Sequence, residues 1–189
     1  MKYAILSLIL CISLFSCQSG KQGNASAVKD VDICIYGGTS AGVVAAYSAK
    51  KMGKSVILIE PGKYLGGMTT GGLGMTDIGN KYAVTGLARL FYRRIGEHYN
   101  RFEQWTFPPS VATATMMRFV KDADLDVLYY RRITDASVKN KKIESITLED
   151  SRQPGEKESI QIRAKQFIDC TYEGDLMAKA GVSYFTGRE

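Results

Sequence analysis

The chain of 189 residues has one histidine and four cysteines. With His98 alone, at the predicted end of a helix, no Ser-His-Asp set can be assembled. No Cys-x-x-Cys spacing occurs, so neither zinc nor an iron–sulfur cluster has a ligand set. Basic charge is present but never concentrated. The net charge is +6, yet Lys50 and Lys51, Arg93 and Arg94, Arg131 and Arg132, and Lys139, Lys141 and Lys142 fall on different predicted elements. No aromatic ladder runs among them, which excludes a nucleic-acid footprint. The phosphate loop is missing too: Gly74 and Gly79 lead into Asn80 and Lys81, not Gly-Lys-Ser/Thr. Asp122, Asp124 and Asp126 have the spacing that opens a calcium loop. The sixth place lacks glycine, however, and Ile133 stands where the closing glutamate belongs. The length suits one domain.

The longest apolar run, Ala4 to Phe15, is twelve residues, short of the ~20 that span a bilayer. Preceded by Lys2, it has the form of a signal h-region. "LFSC", Leu14 to Cys17, resembles a bacterial lipobox. That resemblance implies lipidation of Cys17, export to the cell envelope, and a membrane anchor through the lipid. The alternative is an ordinary secretory signal with an incidental cysteine. Residues 18–30 are then a polar tether, and 31–189 the folded domain. Cys34 and Cys170 fall within predicted strands as small buried hydrophobes.

"VDICIY", Val31 to Tyr36, is short, β-branched and aromatic, and predicts a buried strand. A helix is expected from Ser40 to Met52. Its small residues Gly42, Ala46 and Ala49 share one face, and Gly53 caps it. "SVILI" and Glu60 make a second strand. This βαβ unit predicts parallel strands with a right-handed crossover. The glycine-rich stretch after Pro61 predicts no regular structure. Helices are expected over Thr85 to Phe102 and Val111 to Ala123. The first carries an apolar stripe of Leu87, Leu90, Phe91, Ile95, Tyr99 and Phe102, with Arg89, Arg93 and Arg94 mostly off it. "DVLYYRRI" predicts one strand and Ala136 to Ala164 a meander. "QFIDCT" returns as a buried strand, and "EGDLMAKAG" opens a short helix. The fold class is α/β: a Rossmann-like parallel sheet with a β-meander and a helical insertion about 69–110.

"YGGTSAG", Tyr36 to Gly42, approximates the dinucleotide fingerprint G-x-G-x-x-G, with Thr39 at its middle glycine. Gly37 permits the turn off the strand, and Gly42 allows close helix–strand packing. The helix N-terminus offers free N–H groups to a diphosphate. Gly38 beside Thr39 preserves backbone freedom, and the Thr39 and Ser40 hydroxyls are candidate phosphate donors. Glu60 ends the second strand 23 positions after Gly37, near the ~20 expected of an acid that holds a ribose hydroxyl. A carboxylate there repels a 2′-phosphate, which argues against NADP.

Gly66 and Gly67 follow Glu60 by six and seven positions. This resembles the E-x5-G-G arrangement of two-dinucleotide-binding flavoproteins. "GGMTTGGLGMTD" as a whole, with "YGGTSAG" and the closing "FIDCTYEGDLMAKAG", resembles the FAD-dependent oxidoreductase family of the glutathione-reductase-like superfold. Threonine at the middle fingerprint position is normal there. The resemblance implies FAD, and carries cofactor contacts onto Gly37, Gly38, Thr39, Ser40, Ala41, Gly42, Glu60, Gly66, Gly67, Met68, Ile133 and Thr171. It implies hydride transfer between flavin and a small molecule. Members of the family are longer, so the chain is expected to be an N-terminal, FAD-binding portion. A non-catalytic remnant and a surface lipoprotein acting on polysaccharide are the competing readings.

Overall fold

The computed structural model describes residues 27–156 and 159–188. The expected signal segment and Cys17 lie outside the described residues, as does the expected tether up to Ser26. Strand β1, Ala27–Tyr36, begins four residues before the expected start and takes in the end of the expected tether. Helix α1 is Ser40–Lys51 and strand β2 is Val56–Glu60. Helix α2 is Gly86–His98, and α3, Pro109–Asp122, starts with proline at its first position, where a missing N–H costs nothing. Strands β3, Asp126–Tyr129, β4, Arg131–Lys139, β5, Lys142–Asp150, and β6, Ser159–Asp169, precede a short helix α4, Asp175–Lys179.

One six-stranded sheet runs β3-β2-β1-β6-β5-β4. The first four strands are parallel; β5 and β4 are antiparallel additions. Side chains of β1 alternate between two cores, as the two-residue strand period requires. Ile35 joins Leu58, Val43, Ala46 and residues of α2 and α3 on one face. Cys34 and Tyr36 join Ile57, Ile59, Ile133, Ile146 and Leu148 on the other. Helices α1, α2 and α3 therefore cover one face of the parallel strands, and the β4–β5 hairpin packs on the opposite one together with Leu176 of α4.

Two expected strands differ. "DVLYYRRI" is broken at Tyr130, which has φ 54. The break sends β3 to one end of the ladder and β4 to the other. Tyr130 is held there by its N–H to Gly62 O (3.1 Å) and by Ser151 N–H to its carbonyl (3.0 Å). Conversely, "SIQIRA" and "QFID" form a single strand that ends at Asp169, so Cys170, expected within a strand as a buried hydrophobe, stands just past it and is half-buried. β6 pairs along its length with β1 and, over its first half, with β5 on its other edge. The β4–β5 turn falls at the expected place. Asn140 and Lys141 have φ 50 and 61, the positive pair a two-residue hairpin demands.

Arg94 also departs from its expected place. It is 9% exposed; the guanidinium lies 4.0 Å from the Phe119 ring centre and donates to Asp122 at 2.7 Å. The apolar stripe of α2 is thus closed by a stacked, paired arginine.

The start of β1 is fastened by charge. Asp32 accepts from Lys165 Nζ at 2.6 Å, and from Ser55 N–H at 2.9 Å and its hydroxyl at 2.8 Å. The Lys165 ammonium foremost, then the Ser55 donors, hold this carboxyl well below the usual carboxylate range. A depressed folded value means that the stabilisation is present at neutral pH. It is lost as pH falls below the ordinary ~4 toward the folded value. Thermal melts from pH 6 to pH 3 should show a falling midpoint, with a smaller fall in Asp32→Asn.

Candidate functional site

The parallel strands β1, β2 and β6 end side by side, and the chain turns off them at Gly37, Pro61 and Cys170. From β1 the connection leads through α1 to β2 on one side, while β6 lies on the other. A crevice at such a point of divergence is the usual ligand position in open parallel sheets.

The glycine turn is tightly packed. A Cβ on Gly37, which has φ +100, would lie 2.7 Å from Thr171 N. One on Gly42 would lie 1.9 Å from Gly37 O. One on Gly38 would meet Leu65 Cδ2 at 2.5 Å and Glu60 Oε2 at 2.6 Å. These missing side chains let α1 start directly against β1 and β6, and let the Glu60 carboxylate reach the turn.

Glu60 uses both oxygens on backbone. Oε2 accepts from Gly38 N–H at 2.8 Å and Oε1 from Gly62 N–H at 2.6 Å. An ionised carboxylate has about four acceptor positions, so hydroxyl groups can add to these bonds. The expected acid therefore stands at the tip of β2, beside the glycine turn.

At the helix mouth the sequence reading needs one correction. Thr39 is the N-cap: its oxygen accepts from Gly42 N–H at 3.3 Å, and its hydroxyl donates to Cys170 O at 2.8 Å. Ser40 Oγ lies 2.8 Å from both Gly66 O and Thr69 Oγ1. Both hydroxyls are thus engaged within the protein, and Thr39 is buried. Val43 N–H is accepted by Thr39 O at 3.0 Å. Ala41, in the first turn, is exposed, and its N–H has no acceptor among the described residues. The donor offered to an anion is peptide backbone, with the positive end of the helix dipole behind it.

Gly66 and Gly67 have φ +98 and +54. Gly66 N–H donates to Gly38 O at 2.7 Å, which ties this loop to the glycine turn. A Cβ on Gly67 would lie 2.1 Å from the Tyr172 hydroxyl. Met68 N–H donates to that hydroxyl at 2.8 Å, while the Met68 side chain is 53% exposed.

Thr171 shapes the far wall. Asp169 Oδ1 accepts from its N–H at 2.9 Å and its hydroxyl at 2.6 Å. Asp169 Oδ2 accepts from Met177 N–H at 2.9 Å, which seats α4. Burial, then the neighbouring Asp169 charge, pushes the Cys170 thiol up, and burial takes Cys34 up to about 12. Neither is a thiolate at neutral pH.

Ile133 stands apart from the glycine turn. Its N–H donates to the Tyr36 hydroxyl at 2.9 Å. The two line a cavity of about 510 Å³ with Pro61, Arg132, Thr134, Glu149, Asp175 and Lys179. Burial foremost drives the Tyr36 phenol up to about 12, so it stays neutral at physiological pH. Removing the hydroxyl in Tyr36→Phe leaves a buried N–H without a partner and should cost about 1–3 kcal/mol, measurable by urea unfolding. A second cavity, about 240 Å³ and largely apolar, opens beside Ser40 and Ala41 between α1, α2 and α3.

Sequence reasoning missed Tyr36, Asp169 and Tyr172. The two-residue spacing of Asp169 and Thr171 is an Asx-turn signal and was readable. The tyrosines act through contacts 97 and 104 positions away in sequence, and left no local signature.

This is the dinucleotide-binding domain of a flavoprotein: parallel βαβ unit, glycine turn, strand-end glutamate and paired glycines around one crevice. The chain belongs to the FAD-dependent oxidoreductase family, whose sequence pattern matches residues 32–189. FAD is its cofactor, and the Ala41 N–H without an acceptor among the described residues, the Glu60 carboxylate beside the turn and the absent side chains of Gly37 and Gly38 fit that group. Among solved structures, the chain is similar to a flavoprotein/dehydrogenase from Cytophaga hutchinsonii, at 19% identity and TM-score 0.62, covering 85% of this chain and 44% of that one. It is also similar to THI4 from Thermovibrio ammonificans, at 17% identity and TM-score 0.58, covering 97% and 72%. L-proline dehydrogenase from P. horikoshii is similar at 14% identity and TM-score 0.58, covering 83% and 57%. At these identities the likeness is one of fold. The chain spans less than half the length of the first of them. A search of curated proteins finds no match.

Proposed function

We propose that this chain is the FAD-holding portion of an oxidoreductase that moves hydride between a small molecule and flavin. The observation that carries the reading is the convergence of Glu60 and the α1 N-terminus on one glycine turn, with Glu60 Oε2 2.8 Å from Gly38 N. Ala41 N–H and the helix dipole would hold the diphosphate of FAD, Glu60 would accept from the hydroxyls of its adenosine ribose, and the cavity at Pro61 and Ile133 and the Gly66–Met68 loop would flank it. Bound FAD supplies a ring that accepts a hydride, so the protein itself needs no nucleophile or metal. The residues derived above bind and orient it.

The test is reconstitution. Purified chain incubated with FAD and desalted should keep the flavin absorbance bands at near one equivalent. Colourless protein after refolding with FAD would support the non-catalytic remnant instead.

The N-terminal segment supports a reading of envelope attachment: signal 1–17, lipid on Cys17, and a tether to β1. Metabolic labelling with a fatty-acid analogue should mark the chain and fail on Cys17→Ser. Equal labelling of both would sink the anchor.

A further inference from the structure

We propose that Tyr172 is a positioning residue of the dinucleotide site, whose hydroxyl straps the Gly66–Met68 loop across the mouth of α1 to the end of β6. The inference rests on the FAD reading above and adds a residue to it.

The loop is tied on its inner side. Gly66 N–H donates to Gly38 O at 2.7 Å, and Ser40 Oγ lies 2.8 Å from Gly66 O. On its outer side Met68 N–H donates to Tyr172 Oη at 2.8 Å, across 104 positions of sequence. Tyr172 follows Thr171, whose N is 2.7 Å from where a Gly37 Cβ would sit. The glycine turn therefore lies between the two anchor points, and the phenol bridges them.

Gly67 shows that this contact is built in. Its absent Cβ would lie 2.1 Å from the Tyr172 hydroxyl and 3.0 Å from Cζ, at φ +54. The second glycine of the pair is thus required by the tyrosine as well as by its own backbone angle. Core burial does not explain the tyrosine, because it is 55% exposed. Its contribution is one directed bond to a glycine-rich loop, which otherwise loses much conformational freedom when a ligand orders it. A loop ordered in advance binds more tightly.

Wild type, Tyr172→Phe and Gly67→Ala are compared by FAD titration, by hydrogen exchange at the Met68 amide and by melting of the FAD-free chain. Tyr172→Phe should raise the FAD dissociation constant five- to tenfold, speed Met68 exchange at least tenfold, and leave the melting temperature unchanged. Gly67→Ala should weaken FAD less in the Tyr172→Phe background than alone, since its closest clash is with the hydroxyl. Affinity within twofold of wild type, or unchanged Met68 exchange, overturns the strap. So does a weaker affinity that merely follows a lower melting temperature. Failure of the wild type to take up FAD overturns the dinucleotide reading along with it; uptake by wild type with no effect of Tyr172→Phe overturns the strap alone.

Discussion

Replacing Gly42 by valine should abolish FAD retention and destabilise the domain by about 3 kcal/mol, the upper range for overpacking a close contact. A Cβ there would stand 1.9 Å from Gly37 O, which is backbone and cannot swing aside. The helix must then lift from the strand, and its first N–H groups move away from the crevice. Gly53→Ala is the matching control. Gly53 has φ +77, but a Cβ there would meet nothing within 4 Å, so the change should cost about 1 kcal/mol in backbone strain. It lies at the far end of α1 and should leave FAD uptake intact. Urea unfolding and flavin absorbance after desalting read both effects. Full FAD retention by Gly42→Val would mean that the helix start is not where the diphosphate sits.

Glu60→Gln should weaken FAD by about ten- to a hundredfold, the equivalent of ~1.4–2.8 kcal/mol and in the range of hydrogen bonds to a charged acceptor. The amide keeps one oxygen for Gly38 or Gly62 but cannot satisfy both N–H groups and two ribose hydroxyls. Glu60→Ala should be worse, because two turn N–H groups lose their acceptor and the turn loosens. Fluorescence titration with FAD separates the two, and equal affinity in all three proteins would remove Glu60 from the site. The same carboxylate should keep NADP out, since its 2′-phosphate would meet a negative charge.

Much of the fold was legible because its signals are local. Val31 to Glu60 carries a strand, a glycine turn, a helix with small residues on one face and a second strand, and each formed within a few residues of its expected bounds. What escaped was topology set by tertiary contacts. Nothing around Tyr130 marks a break: aromatic and β-branched neighbours favour a continuous strand, and only the bonds to Gly62 and Ser151 impose the positive φ. The join of "SIQIRA" to "QFIDCT" was hidden by Lys165, the one residue between them, whose charge resembles a turn but whose neighbours Ala164 and Gln166 both pair with β1. Arg94 looked like solvated charge because the ring beneath it, Phe119, comes from another helix.

The site divides in the same way. The positions of Gly37, Gly42 and Glu60 were legible because the spacing of strand, glycine turn, helix and strand end brings them to one crevice. Thr39 was placed correctly at the helix start, yet its hydroxyl serves Cys170 rather than an anion, a contact 131 positions distant. Gly67, expected by resemblance as a cofactor contact, faces the Tyr172 hydroxyl. Ile133 is expected as a cofactor contact by resemblance alone, and its tie to Tyr36, 97 positions distant, has no local signature.

The central claim is that the site recognises a dinucleotide by its diphosphate and adenosine ribose. Parallel titrations of the purified chain with FAD and with riboflavin, followed by flavin fluorescence, test it most directly. The account predicts one FAD per chain and riboflavin binding at least a hundredfold weaker, because riboflavin lacks both the diphosphate that Ala41 N–H would hold and the adenosine ribose that Glu60 would hold. Riboflavin bound as tightly as FAD would contradict it.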